Sequence, residues 1–336
     1  MYLVKGKGIY FLRKTGIVLF CSIFLILCYF TFVSAEAVFR SEWELPQAIQ
    51  EKQKQPRLVL ITQDTETPFW DKVGSGAVEQ ADREGVSLEI WGSYGNNHED
   101  FLKKFEIAIH SKVDGIIIQG LDTEEFKYLS KVKASFYGIP IITVANDVPM
   151  TESLRRTYVG SNQYEAGSML ARQLLSDMGT KGKVLLTYNG TEEYYQRQRL
   201  EGIQDVLGDN TDIETLYAET SSSREEIIAT TRDVLNKNPN VDAIIAVNSN
   251  IVGALVQEIS KRSQVAPYYI YSFDDAPESL LLLKQGQIDG IIEQSPEKMG
   301  KTSVRLIIEW LKGETMPLDF EGYYTEIRIL KETDVQ

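Results

Sequence analysis

The chain has 336 residues and a formal charge of −13, with 43% apolar and 25% charged residues, which suits one large or two medium globular domains. No basic stripe lies beyond the first 14 residues, which argues against nucleic acid as a partner. Both cysteines, Cys21 and Cys28, sit in one N-terminal apolar run, and His98 and His110 are the two histidines. The rest of the chain therefore has no disulfide framework, cysteine metal site or thiol nucleophile, and a multi-histidine centre or Ser-His-Asp triad is disfavoured.

Residues 1–16 carry Lys5, Lys7, Arg13 and Lys14, and no acidic residue precedes Glu36. This basic stretch reads as cytoplasmic, which puts the bulk of the chain outside. The segment 17–35 reads as a transmembrane anchor or signal peptide. Its apolar core, 17–33, is long for a signal peptide and just long enough to span. An uncleaved single-pass anchor in the cell membrane is the expectation. The alternative is cleavage near Ala35, after the small residues Ser34 and Ala35, which yields a secreted or periplasmic form. Phe20 precedes Cys21 and Leu27 precedes Cys28, so neither cysteine is set for lipidation. Residues 36–56, rich in Gln, Lys and Glu, read as a linker.

From Leu58 on, strands and helices alternate. LVLI at 58–61 is a buried strand that opens into a polar loop and then Pro68-Phe69-Trp70, a helix start. Strands follow at 86–91, at 114–118 ending in Gln119-Gly120, and at 138–144 ending in Ala145-Asn146-Asp147. Helices are expected at 71–83, 97–111 and 123–136. After a break near 158–162 the pattern restarts. Strands at 182–188, 213–219, 241–247, 268–273 and 290–292 alternate with helices at 163–178, 192–207, 223–236, 251–261 and 296–311. Such alternation means βαβ units and parallel sheets, here in two similar halves. Polar residues collect at the strand ends, where open α/β folds bind ligands.

The strand-end motifs carry a resemblance. TPFW at 67–70, VDGIIIQG at 113–120, GIPIITVANDVP at 138–149, YVGSNQYEAG at 158–167, RQRLEG at 197–202, AIIAVNSN at 243–250 and YSFDDAPE at 271–278 stand in the order seen in periplasmic sugar-binding proteins of the ribose/galactose type. The chain resembles that family over about residues 57–330. The resemblance implies an α/β fold of the type I periplasmic binding protein kind, two Rossmann-like lobes with parallel sheets joined by a three-crossing hinge. Lobe 1 is then 57–161 plus 295–317, and lobe 2 is 162–294 plus 318–330. The LacI-type effector domain shares this fold, but a membrane segment stands where a DNA-binding domain would.

The resemblance also implies a ligand site and its partners. Phe69 and Trp70 fall where the family stacks aromatics on a sugar ring. Gln119, Asn146 and Asp147 fall at lobe-1 polar positions, and Asn248, Asp274 and Gln294 at lobe-2 ones. Arg197 and Arg199 bracket the family arginine, and Arg197 matches it better. Thr67 and Ala145 depart from the pattern, where Asn and Asp are common. The residue types suit a sugar in their own right: amides, carboxylates and a guanidinium fork pair with vicinal hydroxyls, and aromatic faces cover C–H surfaces. Each residue also has a plainer reading. Phe69 and Trp70 serve equally as core plugs, Asn248 and Asp274 as helix caps, Asp147 and Gln119 as turn residues, and Arg197 as surface. Tyr188, Tyr194 and Tyr195 cluster near the second-lobe mouth and line it on one reading.

The expectation is a binding protein for a monosaccharide. Its partner is a membrane protein, either the extracellular domain of a sensor histidine kinase or the permease of an ABC transporter. No catalytic residue, metal or cofactor is expected. One alternative is a membrane-anchored enzyme acting on glycosides through Asp147 and Asp274. The other is a receptor for a non-sugar small signal, such as an amino acid held by Arg197 or Arg199.

Overall fold

The computed structural model describes residues 5–39, 55–94, 97–189, 193–221, 223–262 and 268–335. Most of the expected linker, 36–56, and of the strand-end loop 189–191 lies outside the described residues. The chain divides into two units, Met1–Lys54 and Gln55–Gln336.

Among its described residues the first unit contains one helix, α1 (Lys5–Phe39), with no acidic residue in its first turn. Its segment Leu19–Glu36, 18 residues, is long and apolar enough to cross a membrane. At 1.5 Å per residue such a segment is about 27 Å long, near the roughly 30 Å of a bilayer core.

In the second unit the first lobe is built on β1 (Arg57–Thr62), β2 (Ser87–Gly92), β3 (Gly115–Gln119), β4 (Ile141–Val144) and β5 (Thr157–Gly160). They alternate with α2 (Pro68–Glu84), α3 (His98–His110), α4 (Glu124–Tyr128) and the single turn α5 (Met150–Ser153). β3, β4 and β5 are buried at every residue, which requires a sheet covered on both faces. One apolar layer packs Phe101, Phe105 and Phe126 on the sheet. The other packs α2 on it with Val73 and Ala77.

The second lobe repeats the plan. It uses α6 (Gln163–Met178), β6 (Gly182–Asn189), α7 (Tyr194–Gly208), β7 (Ile213–Thr220), α8 (Arg224–Lys237), β8 (Ala243–Ala246), α9 (Ser249–Ser260), β9 (Tyr269–Phe273), α10 (Pro277–Lys284) and β10 (Gly290–Glu293). The chain then returns to the first lobe through α11 (Pro296–Lys312), whose Met299, Ile307 and Ile308 complete the α2 layer. Last come β11 (Tyr323–Tyr324) and β12 (Arg328–Leu330). The two six-stranded sheets have matching orders, β11-β5-β4-β3-β1-β2 and β12-β10-β9-β8-β6-β7. Within the described strands every pairing is parallel except β10 with β12.

Three details differ from the sequence reading. The helix expected over 123–136 breaks after Tyr128 into a π-helical turn, Leu129–Ala134. Residues 157–160, which overlap the break read near 158–162, form a fully buried strand. The third crossing comes later than residue 317, because Tyr323 and Tyr324 pair with β5 of the first lobe and Arg328 with β10 of the second. Such two- and three-residue strands have too little periodicity to be read from sequence.

Candidate functional site

All strands of the β1–β5 and β6–β10 series run parallel, so the loops after them share one edge of each sheet. A cavity of about 260 Å³ lies between the two edges, lined by residues of both lobes. Ligand pockets for drug-sized molecules run roughly 300–1,000 Å³, so this one fits something smaller.

The first-lobe wall is aromatic. The Thr67 hydroxyl caps α2, accepting a hydrogen bond from the Trp70 amide at 3.4 Å, and Pro68 sets the first turn. Phe69 and Trp70 are thereby fixed edge to face, ring centres 5.4 Å apart at 85°. Both pack on the α2 core layer and both line the cavity, so they are plug and wall at once. Gln119, at the end of β3, accepts from the Gln63 amide at 2.9 Å and also lines the cavity. Ala145, in the left-handed conformation at φ 64°, turns the chain so that Asn146 joins them.

The second-lobe wall is polar and tightly connected. Arg199, on α7, is 2% exposed. Its Nε donates to Gln163 Oε1 at 2.8 Å, Nη1 to the Val247 carbonyl at 2.9 Å and Nη2 to Asp274 Oδ1 at 3.4 Å. The guanidinium lies 4.2 Å from the Phe273 ring centre and 5.0 Å from that of Tyr195. Burial of its charge is met by this set of partners. The Gln294 amide also donates to Asp274 Oδ1. Asn248 donates through Nδ2 to the Tyr195 hydroxyl at 3.0 Å, while its Oδ1 caps α9 at the Asn250 amide, also 3.0 Å. Burial pushes the Tyr195 phenol far above its ordinary range, so it stays a neutral hydrogen-bonding group. Asp274 holds φ at 67°, a conformation that Asp tolerates better than most residues.

Among the described residues two ion pairs cross between the lobes at the cavity mouth. Lys72 of α2 reaches Asp275 at 2.7 Å, and Arg197 of α7 reaches Asp122 at 2.5 Å. Burial raises the Asp122 carboxyl, but hydrogen bonds from Lys127 and Arg197 outweigh it and hold the group below the usual aspartate range.

Of the nine residues singled out in the sequence, Phe69, Trp70, Gln119, Asn146, Asn248, Asp274 and Gln294 line this cavity; Asp147 and Arg197 do not. Asp147 is held by Arg155, which donates Nε and Nη2 to its two oxygens at 2.6 Å each, and by Thr143 Oγ1 at 2.5 Å. It borders a neighbouring cavity of about 280 Å³ beside the crossings. Arg197 sits two residues before Arg199, which on a 3.6-residue helix turns it roughly 200° away. Its side chain is 48% exposed, at the rim.

Residues 58–315 match the family described as a periplasmic binding protein domain. The chain belongs to that family. Among curated proteins it is 20% identical over 270 residues to the D-allose-binding periplasmic protein of Escherichia coli K12, covering 77% of this chain and 86% of that one. Among solved structures it resembles GanP, a glucose-galactose binding protein from Geobacillus stearothermophilus, at 27% identity and TM-score 0.77, covering 83% of this chain and 98% of GanP. It also resembles a chain of the XylFII-LytSN complex, at 25% identity and TM-score 0.72, covering 83% of this chain and 99% of that one.

The cavity draws on residues that the sequence left open or did not mark. Arg199, not Arg197, occupies the cavity; the buried face of α7, which holds Gln196, Arg199, Gly202, Ile203 and Leu207, shows the phase that would have chosen it. Tyr195 lies one turn before Arg199 on the cavity side, as one reading had it; Tyr188 and Tyr194 do not line this cavity. Gln163 and Asp275 stand inside the motifs at 158–167 and 271–278 and Lys72 in the helix expected at 71–83, but none was singled out, since their roles depend on which lobe faces which.

Proposed function

We propose that this protein is an extracytoplasmic receptor that binds a monosaccharide between its lobes, not an enzyme, and that α1 holds it in the membrane. The observation that carries the reading is the pairing of walls in one cavity. Phe69 and Trp70 offer flat apolar surface on one side, and Arg199, Asp274, Asn248 and Gln294 offer donors and acceptors on the other. A sugar ring has that same division between C–H faces and hydroxyl rim. The carboxylates suggested for glycoside hydrolysis are not brought together, because Asp147 spends both oxygens on Arg155 outside the cavity.

Two similar solved structures are described as a glucose-galactose binding protein and a complex of XylFII with LytSN, which supports a sugar as ligand and a second protein as partner; the partner we propose is a membrane sensor. Closure of the lobes on the sugar presents a composite surface to that sensor. A thermal-shift screen of residues 55–336 against about thirty monosaccharides tests the ligand class, because a true ligand raises the melting temperature by mass action. Absence of any shift at millimolar sugar rejects the sugar. Fractionation of cells making the full chain tests the anchor: recovery in the soluble fraction, cut near Ala35, rejects it. Sugar uptake that depends on this gene, with unchanged sugar-responsive transcription, assigns the receptor to a transporter instead.

A further inference from the structure

The first lobe carries an exposed aromatic and basic cluster at the end opposite the cleft. α3 ends just before β3, and the π-helical turn Leu129–Ala134 ends just before β4, so both helix ends sit where the strands begin. Phe136 is 82% exposed and lies edge to face with Tyr137 at 5.2 Å. His110 packs against Tyr137 at 6.2 Å, and Ile107, one turn earlier on α3, is 46% exposed. Lys112 lies 5.7 Å from the Tyr137 ring and Lys133 6.0 Å from that of Tyr128. Contiguous exposed apolar side chains of this size mark an interaction site.

Two observations choose the occupant. The first is charge: Lys112 and Lys133 stand beside the aromatics, against the carboxylate of Glu106, which pairs with His110 at 3.6 Å, so on a chain whose net charge is −13 this cluster offers cations to an anionic surface. The second is place. The chain enters the folded unit at Arg57, whose amide donates to Asp114 Oδ2 at 2.8 Å, two residues from Lys112. The cluster therefore stands at the end where the chain enters the folded unit. Rings with a polar tip and lysines on long stems suit the boundary between lipid headgroups and acyl chains.

We infer that this end of the first lobe docks on an anionic lipid surface through Phe136 and Tyr137, with Lys112 and Lys133 on the headgroups. The inference rests on the membrane anchoring proposed above, but it is tested apart from it. Residues 55–336 form a compact unit that contains all four apolar core clusters, so they serve without α1. The experiment is co-sedimentation of that unit with vesicles of phosphatidylcholine alone or with 30% phosphatidylglycerol. Binding to the anionic vesicles is expected, at least tenfold weaker for F136S/Y137S and several-fold weaker for K112E/K133E or at high salt. Leu281→Ser, an exposed apolar change on the second lobe, leaves it unaltered. Equal binding to both vesicle types, binding by F136S/Y137S as strong as wild type, or no binding at all overturns the inference. A sedimentation shift from dimer to monomer in F136S/Y137S without vesicle binding also overturns it and assigns the cluster to a protein contact. Failure here leaves the anchor untouched, since full-chain fractionation reads that separately.

Discussion

The two walls of the cleft solve different problems with different chemistry. The second-lobe wall is a connected polar array: Arg199 is buried among Gln163, Asp274 and the Val247 carbonyl, and Gln294 and Asn248 are tied into it. The first-lobe wall is two aromatic rings seated in the α2 core layer, with Gln119 and Asn146 beside them. In the second lobe the hydrogen-bonding groups are pre-oriented, so a ligand meets donors and acceptors already fixed in place. In the first lobe the contact surface is rigid but largely non-directional. The difference suggests that the second lobe selects hydroxyl geometry and the first lobe covers the ring.

The largest expected effect separates the two neighbouring arginines. Arg199→Ala leaves Asp274 without its cation and opens a buried void, and should lower the folding free energy by about 3 kcal/mol or more in urea denaturation. Arg197→Ala, at the exposed rim, should change it by no more than about 0.5 kcal/mol. Equal effects would dissolve the contrast between a wall and its rim.

Next comes the contrast between walls. Asp274→Asn keeps the left-handed backbone and the shape but loses charge-assisted hydrogen bonds, so calorimetry should show sugar affinity reduced by about 1.5–3 kcal/mol. Asn146→Ala on the other wall should cost about 1 kcal/mol. A larger loss at Asn146 would mean that the first lobe, not the second, reads the hydroxyls. Phe69→Leu keeps apolar volume in the core but removes the ring face, and should weaken binding by about 0.5–1.5 kcal/mol with a smaller change in melting temperature.

The smallest effect belongs to the rim ion pairs. Breaking both, with Asp122→Asn and Asp275→Asn, should weaken sugar affinity by about 0.2–1 kcal/mol per pair, less at high salt. The pH dependence has a definite sign. Lys127 of the same lobe and Arg197 of the other hold the Asp122 carboxyl below its ordinary value, and the Arg197 share exists only where the lobes meet, so that arrangement binds fewer protons there. Its contribution is complete above the ordinary aspartate range and is lost as pH falls through the depressed value. Affinity in the wild type should therefore stay level from pH 8 to about pH 5 and fall only below about pH 4.

Much of this architecture is legible in the amino-acid order. The alternation of apolar strands with helices at 58–311, the change of half near 160 and the polar strand ends at Gln119, Asn146, Asn248, Asp274 and Gln294 are local patterns, and local patterns follow from backbone periodicity. The apolar run at 19–36 is of the same kind. What required the tertiary structure was every choice between near neighbours. Arg199 rather than Arg197 enters the cavity because α7 packs one face against α6, with Gly167 and Gly202 standing where a Cβ would strike the opposing backbone. Asp147 turns away because Arg155, eight residues on, satisfies both its oxygens. The last crossing lies between Tyr324 and Arg328 because two short strands find partners in different lobes. Sequence order determined two α/β halves with polar loops at their strand ends, and the family resemblance implied a cleft between them. Packing decided which side chains in those loops face it, since that depends on helix phase and on partners distant along the chain.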